Sequence, residues 1–374
     1  MNLWQSTDWP HFHYNPQALE PALAQARLAQ GRMLGLASSL QLVELGDIQL
    51  SGLAQEAIAT AQIEGEILQV NSVRASAARR LGLAGSGAVA SDPRTEATLD
   101  VLQAAVDHWA QPLTHEVLFG WHAALFPTGR SGVMRIVTGA YRTHAEPMQI
   151  VTPRMGRPDI VHYQAPGSSN VPAHMGQLLA WFTQSPGTPD GLVRAALAHL
   201  WLEAIHPFED GNGRLGRALV ELALAQDMQS SQRLFSLSQQ LWLDRAGYYA
   251  QLQAATSQAN MDVTPWVLWF VGCIEKACNA TLAQMQAALA KNRDWAEVNN
   301  SHPSLTSSQR KALRLLFDTQ PDGFIGGMST EKYVHLTGVS RATAYRELTQ
   351  LAELGLLNKT GQGRGTRYQW VRSG

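Results

Sequence analysis

The sequence is poor in cysteine and has no long apolar run. Its two cysteines, Cys273 and Cys278, match neither a CxxC motif nor the spacing of a zinc site. Two thiols without a disulfide framework favour a reducing compartment. The longest strongly apolar run, 265–274, is about half of the ~20 residues that a membrane span needs, and the first residues do not form a signal peptide. These absences predict a cytoplasmic protein with no membrane partner.

Net charge is also nearly absent, since the 374 residues carry a formal net charge of −1. This value excludes a globally basic nucleic-acid coat and a strongly acidic chain. The balance is uneven, however: residues 301–374 hold ten Lys or Arg and five Asp or Glu, a local net charge of +5. The length suggests two or three domains, and the basic tail is a separate electrostatic unit.

Helix-forming residues dominate the first 290 positions, and the predicted fold class is mainly α. A helical core with a small β-hairpin is preceded by an N-terminal helical extension and followed by a winged helix-turn-helix. The predicted domains are residues 1–112, with a helix at about 51–64, the core at 113–291, a polar linker at 292–303 and the C-terminal domain at 304–374.

Two short runs rich in Val, Ile, Thr and Tyr interrupt the helical pattern at 148–152 and 160–163. The turn-forming segment 153–158 lies between them and contains two prolines and a glycine. This pattern predicts a hairpin over about 148–163 that projects from the helical body. A surface loop is the alternative.

The segment 206–217, His-Pro-Phe-Glu-Asp-Gly-Asn-Gly-Arg-Leu-Gly-Arg, lies between two apolar helices. Gly211 and Gly213 let the backbone approach a ligand closely, and the first turn of the second helix offers unpaired N–H groups. A helix N-terminus of this kind favours anions. Arg214 and Arg217 are three residues apart and share one helical face. Two guanidinium groups beside such a backbone indicate a polyphosphate ligand.

Two further side chains of this segment suggest chemistry on that ligand. Asp210 offers a hard oxygen ligand for Mg²⁺, which typically takes one or two carboxylates and completes its shell with phosphate oxygens. His206 has a side chain suited to a general base at neutral pH, although a histidine before proline often serves only packing. Phe208 is expected in the core. Together the residues predict transfer chemistry on a nucleotide.

This segment resembles the signature of the Fic family, HPFx[D/E]GNGRxxR, at every specified position. The resemblance implies transfer of AMP from ATP to a hydroxyl group of a protein side chain, with Mg²⁺ as cofactor. His206 would then deprotonate the target hydroxyl, and Asp210 would hold Mg²⁺.

The resemblance also implies the contacts to ATP. It assigns the anion hole for the α- and β-phosphates to Gly211, Asn212 and Gly213, and the outer phosphates to Arg214 and Arg217. The hairpin at 148–163 resembles the flap of the family, on which a target protein with a Tyr, Ser or Thr hydroxyl docks as an added strand.

A second motif supports the first. The segment 60–65, Thr-Ala-Gln-Ile-Glu-Gly, resembles the inhibitory motif of the family, [S/T]xxxE[G/N]. In such proteins the glutamate pairs with the second signature arginine and obstructs the γ-phosphate of ATP. Glu64 is therefore predicted to inhibit the protein itself. Because the motif precedes the core, the chain resembles the class of the family in which the inhibitory helix is N-terminal.

Tyr248 and Tyr249 are candidates for stacking on the adenine ring, with packing in the core as the alternative. Three other functions stay open: a DNA-binding regulator whose core senses nucleotide, an enzyme that removes AMP from a protein, and transfer of another phosphate-linked group. The C-terminal domain would contact either DNA or a protein, through residues such as Arg341 and Arg346. The sequence leaves open whether the chain forms a homodimer.

Overall fold

A computed structural model describes residues 2–83, 92–152, 160–258, 260–319, 324 and 326–371. The chain forms two compact units, residues 1–286 and residues 287–374. Both are mainly helical, as the sequence predicts. The first unit contains the region predicted at 1–112 and all but the last five residues of the core predicted at 113–291, and their helices share one hydrophobic core.

Eleven helices are described from the N-terminus through the first unit, and the last of them continues into the second. They are α1 Pro16–Ala37, α2 Leu42–Ile63, α3 Val70–Arg80, α4 Pro93–Asp107, α5 His115–Leu125, α6 Val171–Gln184, α7 Gly191–Ile205, α8 Asn212–Met228, α9 Leu237–Leu243, α10 Arg245–Thr256 and α11 Thr264–Ser301. Of the helices that the structure describes, none is long and apolar enough to cross a membrane.

Local capping residues fix where several of these helices begin. The Asn15 side chain accepts hydrogen bonds from the backbone N–H groups of residues 17 and 18, and proline follows it at the first position of α1. The Asp190 side chain caps α7 in the same way by accepting from Leu192 N. Side-chain oxygens of this kind replace the intrahelical acceptors that the first N–H groups lack.

Three antiparallel two-stranded hairpins accompany the described helices. They are β1 Arg130–Ser131 with β2 Met134–Arg135, β3 Gln149–Thr152 with β4 Ile160–Gln164, and β5 Leu357–Thr360 with β6 Arg367–Trp370. The second hairpin is the one predicted at 148–163, and its register shifts between Ile150 and Val151. The turn predicted at 153–158 lies outside the described residues.

The second unit has its own core and contains α12 Ser307–Asp318, α13 Thr330–Thr337 and α14 Arg341–Glu353, followed by β5 and β6. Ser340 caps α14 by accepting from Thr343 N. Tyr333 and Leu348 are completely buried between these elements.

The segment predicted as a linker, 292–303, is different in the structure, because α11 continues as helix to Ser301. Residues 292–302 contain no glycine or proline that would end the helix. Trp295 and Val298, three residues apart, lie on one helical face and pack into the core of the second unit. Burial of this apolar face favours helix where polar composition alone predicts a loop.

The helix predicted at about 51–64 begins earlier, at Leu42. The carboxylate of Glu44 accepts a hydrogen bond from Gln41 N and so caps the new start. Glycines at 46 and 52 weaken the helical pattern in the sequence, but Gly52 has a packing role. A Cβ there would lie 3.3 Å from the backbone oxygen of Arg233, so the glycine permits close contact.

Helix α7 lies at the centre of the first unit, and every one of its residues is buried. Its sequence is apolar on all sides, which is typical of a helix surrounded by others. Helix α8 packs along it, and α2 packs against α3, α4, α8 and α9. The turn between α7 and α8 is therefore held between two rigid helices.

A buried carboxylate joins α2 to α9. Glu56 is 1% exposed, and its side chain accepts hydrogen bonds from the hydroxyl groups of Ser236 and Ser238 and from Ser238 N. Ser236 also caps α9. This network fixes the middle of α2 independently of the contacts at its C-terminal end.

We expect Glu56→Ala to lower the free energy of unfolding of the first unit by about 2–3 kcal/mol, because three buried donors lose their acceptor. Urea unfolding followed by circular dichroism measures this change. Glu20→Ala, an exposed position on α1, is the control and should change stability by less than about 0.5 kcal/mol. Equal effects of the two substitutions would contradict the role of the network.

Candidate active site

The turn between α7 and α8 brings the signature residues together. His206 ends α7 with φ of 50°, in the left-handed region, and Pro207 prevents the helix from continuing. Gly211 has φ of 79° and opens α8. A Cβ on Gly211 would lie 2.8 Å from the ring of Phe126, so both the backbone conformation and the close packing require glycine here.

Asn212 closes this turn. Its amide oxygen accepts from Phe208 N at 2.9 Å, and its amide nitrogen donates to Phe208 O at 2.9 Å. Phe208 is completely buried, as predicted, and its ring stacks on His122. The side chain of Asn212 is thus used for structure, which leaves its backbone N–H at the start of α8 for a ligand.

Two side chains from the preceding segment hold the end of α7. Arg142 is 1% exposed, and its guanidinium donates to the backbone oxygens of His206 at 2.8 Å and Pro166 at 2.6 Å. The hydroxyl of Tyr163, on β4, donates to Ala204 O. The hairpin of β3 and β4 and the turn between α7 and α8 are therefore both tied to the end of α7.

Arg217 is buried and makes an ion pair with Glu64. Its Nη2 donates to Glu64 Oε1 at 2.7 Å, and its Nε donates to Thr60 Oγ1 at 2.7 Å. Burial disfavours the charge of Arg217, but the carboxylate of Glu64, supported by Tyr248 and Glu203, outweighs burial and raises the pKa of Arg217. The guanidinium is thus fully charged and already has an anionic partner.

The carboxylate of Glu64 also lies against the first turn of α8. A Cβ on Gly213 would be 2.4 Å from Glu64 Oε1. Nearby, Arg214 Nη1 pairs with Glu66 Oε1 at 3.1 Å, and its guanidinium lies 4.8 Å from the ring of Phe126. The segment after α2 therefore places one carboxylate on each signature arginine.

Asp210 lies at the mouth of this turn. Its carboxylate accepts hydrogen bonds from the hydroxyl of Ser131, on β1, and from Gly211 N. His122 Nδ1 accepts from Gly139 N, so its Nε2 carries the proton and donates to Asp210 O. These contacts hold Asp210 beside the N-terminus of α8.

The donor set around Asp210 fits a magnesium ion that is shared with a bound phosphate. Among the described residues, no group of three or more His, Cys, Asp or Glu side chains is placed to hold a metal ion. Mg²⁺ does not need such a group, because one carboxylate, phosphate oxygens and water complete its shell. Asp210 supplies one hard oxygen ligand next to the predicted anion site.

The imidazole of His206 is 14% exposed, and its Nδ1 lies 3.7 Å from Glu203 Oε2. Burial, assisted by the charge of Arg142, lowers the pKa of His206 to about 4. Burial also raises the pKa of Glu203 to about 7, with the nearby charge of Glu64 adding to the effect. A neutral imidazole with a free ring nitrogen at neutral pH can accept a proton.

The two tyrosines have different environments. Tyr248 is 1% exposed, its hydroxyl lies 2.8 Å from His199 Nε2, and its ring packs near Trp269. An adenine ring has no access to that face, so the predicted stacking does not apply to Tyr248. Tyr249 is 42% exposed, and its hydroxyl donates to Ile63 O at the end of α2. It stays a predicted adenine contact.

The structure adds residues that the sequence did not single out: Ser131 on Asp210, Glu66 on Arg214, Arg142 behind His206, and Glu203 beside it. Three of these contacts join segments more than 60 residues apart. Glu203 is the exception, because it lies only three residues before His206, in the last turn of α7. This short spacing could have identified Glu203 as a neighbour of His206 from the sequence alone.

The profile of the Fic/DOC family matches residues 112–224, which include the turn described above. Residues 112–224 are therefore similar to a Fic/DOC domain. A domain of unknown function, DUF4172, matches residues 2–83, and the profile described as "Transcriptional regulator DIP2311-like, C-terminal domain" matches residues 324–371. The Fic domain thus covers α5 to α8, and α2 belongs to the preceding match.

Curated relatives of the Fic domain carry a common name. The chain is 31% identical over 138 residues to the protein adenylyltransferase fic-1 of Caenorhabditis briggsae, covering 37% of this chain and 24% of that one. It is 26% identical over 202 residues to the protein adenylyltransferase Fic of Aedes aegypti, covering 53% and 35%. The match spans about a quarter to a third of these relatives.

A solved structure extends the likeness over nearly the whole chain. The crystal structure of a Fic family protein from Desulfovibrio desulfuricans G20 aligns with a TM-score of 0.56 at 23% identity. The alignment covers 98% of this chain and 99% of that one. At this identity the comparison shows the shared fold, with helices before and after the Fic domain.

We expect Asn212→Asp to destabilise the first unit by about 1–3 kcal/mol, because a carboxylate accepts from Phe208 N but leaves the buried Phe208 O without its donor. Urea unfolding measures the loss. Asn15→Asp is the matched control: the cap of α1 needs an acceptor alone, so this variant should unfold as the parent does. A neutral effect at Asn212 would contradict the closure of the turn.

Proposed function

We propose that the protein is an adenylyltransferase that moves AMP from ATP to a side-chain hydroxyl of a target protein and is held inactive by Glu64. The observation that carries the proposal is the pairing of the buried Arg217 with Glu64, directly over the start of α8 and beside His206. The names of the curated relatives agree with it. A site built for structure alone needs neither an unprotonated histidine nor two arginines on one helix N-terminus.

The proposed reaction uses His206 as general base. Nε2 takes the proton of the target hydroxyl, the hydroxyl oxygen bonds to the α-phosphorus, and the bond from that phosphorus to the bridging oxygen breaks, which releases pyrophosphate. The N–H groups of Asn212 and Gly213 stabilise the phosphate charge, whereas Gly211 N–H already donates to Asp210. Arg214 and Arg217 bind the outer phosphates.

Asp210 is the residue that would hold Mg²⁺. When bound, the ion neutralises phosphate charge and orients the phosphates. Ser131 and Gly211 N hold the carboxylate of Asp210 in place. The proposed contact to adenine is Tyr249, an exposed residue of α10 whose hydroxyl donates to Ile63 O at the end of α2.

Inhibition follows from competition for one guanidinium. Arg217 is buried with Glu64 as its anion, so a γ-phosphate must displace that carboxylate to reach it. Glu64 also lies against Gly213, where its negative charge repels phosphate. Glu66 on Arg214 is a second, weaker obstacle, because it is 31% exposed and therefore better screened by water.

The hairpin of β3 and β4 is the proposed docking surface for the target. A two-stranded sheet has free edges, and an extended target segment can add a strand to one of them. The side chains of Ile150 and Val161 are 41% and 48% exposed, and they offer apolar contact to that segment. Tyr163 links β4 to the end of α7, so a docked hydroxyl would lie near His206.

We expect Glu64→Gly to raise the initial rate of AMP transfer by about 10-fold to 150-fold, because the pair no longer competes with the γ-phosphate. Radiolabelled AMP incorporation into the protein itself or into a lysate, with ATP and Mg²⁺, measures the rate.

Two variants serve as controls for this experiment. Glu66→Gly removes the exposed pair in the same segment and should raise the rate far less. The double variant His206→Ala, Glu64→Gly should transfer AMP about 10²-fold to 10⁴-fold more slowly than Glu64→Gly alone. Equal rates in the parent and Glu64→Gly would contradict inhibition, and a lower rate in Glu64→Gly would favour removal of AMP, with the glutamate serving catalysis.

We propose in addition that the second unit binds DNA through α14. The regulator profile matched to this region favours this function over protein contact. Arg341, Tyr345 and Arg346 are exposed on α14, where they can reach phosphates and base edges.

We expect the full chain to bind genomic DNA fragments at low salt, with affinity that falls steeply as salt is added. The double variant Arg341→Ala, Arg346→Ala should weaken binding by about tenfold or more and flatten the salt dependence. Lys311→Ala with Arg314→Ala removes the same charge from α12 and is the control. Fluorescence anisotropy measures both, and equal loss in the two variants, or no binding at low salt, would overturn this proposal.

A further inference from the structure

Three ionisable side chains lie close together at the C-terminal end of α7. His199 and Glu203 are one turn apart on the helix, and His206 directly follows its last residue. His199 is completely buried and Glu203 is 6% exposed. Among the described residues, His199 Nδ1, Glu203 Oε1 and His206 Nδ1 are buried atoms with no hydrogen-bond partner. Burying a polar atom without a hydrogen bond lowers the stability of the fold, so each such atom calls for an explanation.

The carboxyl group of Glu203 lies between the catalytic turn and α8. Its Oε2 is 3.7 Å from His206 Nδ1, within a small side-chain rotation of a hydrogen bond. On the other side, a Cβ on Gly216 would lie 3.0 Å from Glu203 Oε1. The glycine thus makes the room in which the carboxyl group can adjust toward His206.

On this side the ring of His206 faces both the backbone and the carboxyl group of Glu203. Nδ1 is the buried nitrogen, so Nε2 is the nitrogen that can meet a target hydroxyl. Nε2 accepts a proton only in the tautomer that carries its hydrogen on Nδ1, and the hydrogen bond made by the other nitrogen selects the tautomer.

We propose that Glu203 is a positioning residue for His206: its carboxylate accepts the hydrogen bond from Nδ1–H and keeps the lone pair of Nε2 directed at the target hydroxyl. This inference rests on the proposed function. When Nε2 takes the hydroxyl proton, the resulting imidazolium keeps Nδ1–H on Glu203, whose negative charge stabilises it. The pyrophosphate leaves from the α-phosphorus as before.

The same carboxyl group connects His206 to the inhibitory pair. Burial and the charge of Glu64 together raise the pKa of Glu203 to about 7, although the charge of Arg217 opposes them. Removing Glu64 therefore favours the ionised form of Glu203, which is the form that supports His206. The titratable groups that face Glu203 come from five elements: Glu64 at the end of α2, Tyr163 on β4, His199 on α7 with His206 directly after it, Arg217 on α8 and Tyr248 on α10.

The test compares Glu203→Gln and Glu203→Leu in the Glu64→Gly background of the full chain. We expect kcat to fall by about 10-fold to 100-fold, with the larger loss for leucine, while KM for ATP changes less than twofold. In the Glu64→Gly protein with Glu203 intact, the rate of AMP transfer should decrease as the pH falls from 7 to 5, because Glu203 takes up a proton. That loss should be absent in Glu203→Gln, whose side chain does not titrate.

A purely structural role for Glu203 predicts a lower melting temperature in Glu203→Leu. The positioning role predicts instead that the melting temperature stays equal or rises while kcat falls, because leucine removes a buried carboxyl group. Glu221→Gln is the matched control: Glu221 is also a buried glutamate with a pKa raised by burial to about 7, but it pairs with Arg233 away from His206. It should leave kcat and its pH profile unchanged.

A readout without activity separates this inference from the proposed function. Nitrogen-15 NMR of labelled histidine should show His206 with its proton on Nδ1 in the Glu64→Gly protein and a mixture of tautomers in Glu203→Leu. An unchanged tautomer together with unchanged kcat overturns the role of Glu203. The expected tautomer shift in a protein that never incorporates AMP would support the positioning contact and overturn the adenylyltransferase proposal instead.

Discussion

The geometry of the site depends on the closure of one turn by one amide side chain. Asn212 bonds to both backbone groups of Phe208, and this pair of bonds sets the distance between the end of α7 and the start of α8. His206 on one side and the free N–H groups on the other then face the same space. Arg142 adds a contact from outside the turn and Asp210 adds one within it, but both act on a loop whose shape is already fixed.

A buried guanidinium imposes a second constraint, because its charge is costly to bury without an anion or several hydrogen-bond acceptors beside it. Arg217 has Glu64 in that position, and in the proposed mechanism a phosphate replaces it. The protein therefore exchanges one negative partner for another without leaving the charge uncompensated. Thr60 Oγ1 remains on Nε in either case, so the side chain keeps its orientation during the exchange.

The sequence predicted the parts of the site that are local. Residues 206–217 contain the helix end, the turn, the helix start and both arginines, so their spacing determines their arrangement. Contacts between distant segments were not predictable in this way: Ser131 and Glu66 reach the turn through the packing of whole helices. Tyr248 failed as a candidate because its hydroxyl finds His199 in the core.

The same reasoning applies to the fold. Helices with clear caps and the order of elements were predicted, and the hairpin at 148–163 was found from its β-branched residues. The helix in place of the linker at 292–303 was missed because the polar composition of this segment indicates exposure to solvent. Trp295 and Val298 nevertheless pack against the core of the second unit, which the composition of the segment does not reveal.

The position of Glu64 as the last residue before Gly65 has a kinetic consequence. Gly65 has φ of 79° and ends α2, and helix ends fray on a timescale far shorter than that of domain motion. The middle of α2 is fixed by Glu56, so the opening that exposes Arg217 need involve no more than the final turn. Release of the site is then a local fluctuation whose frequency, rather than any large movement, would limit how fast a nucleotide gains entry.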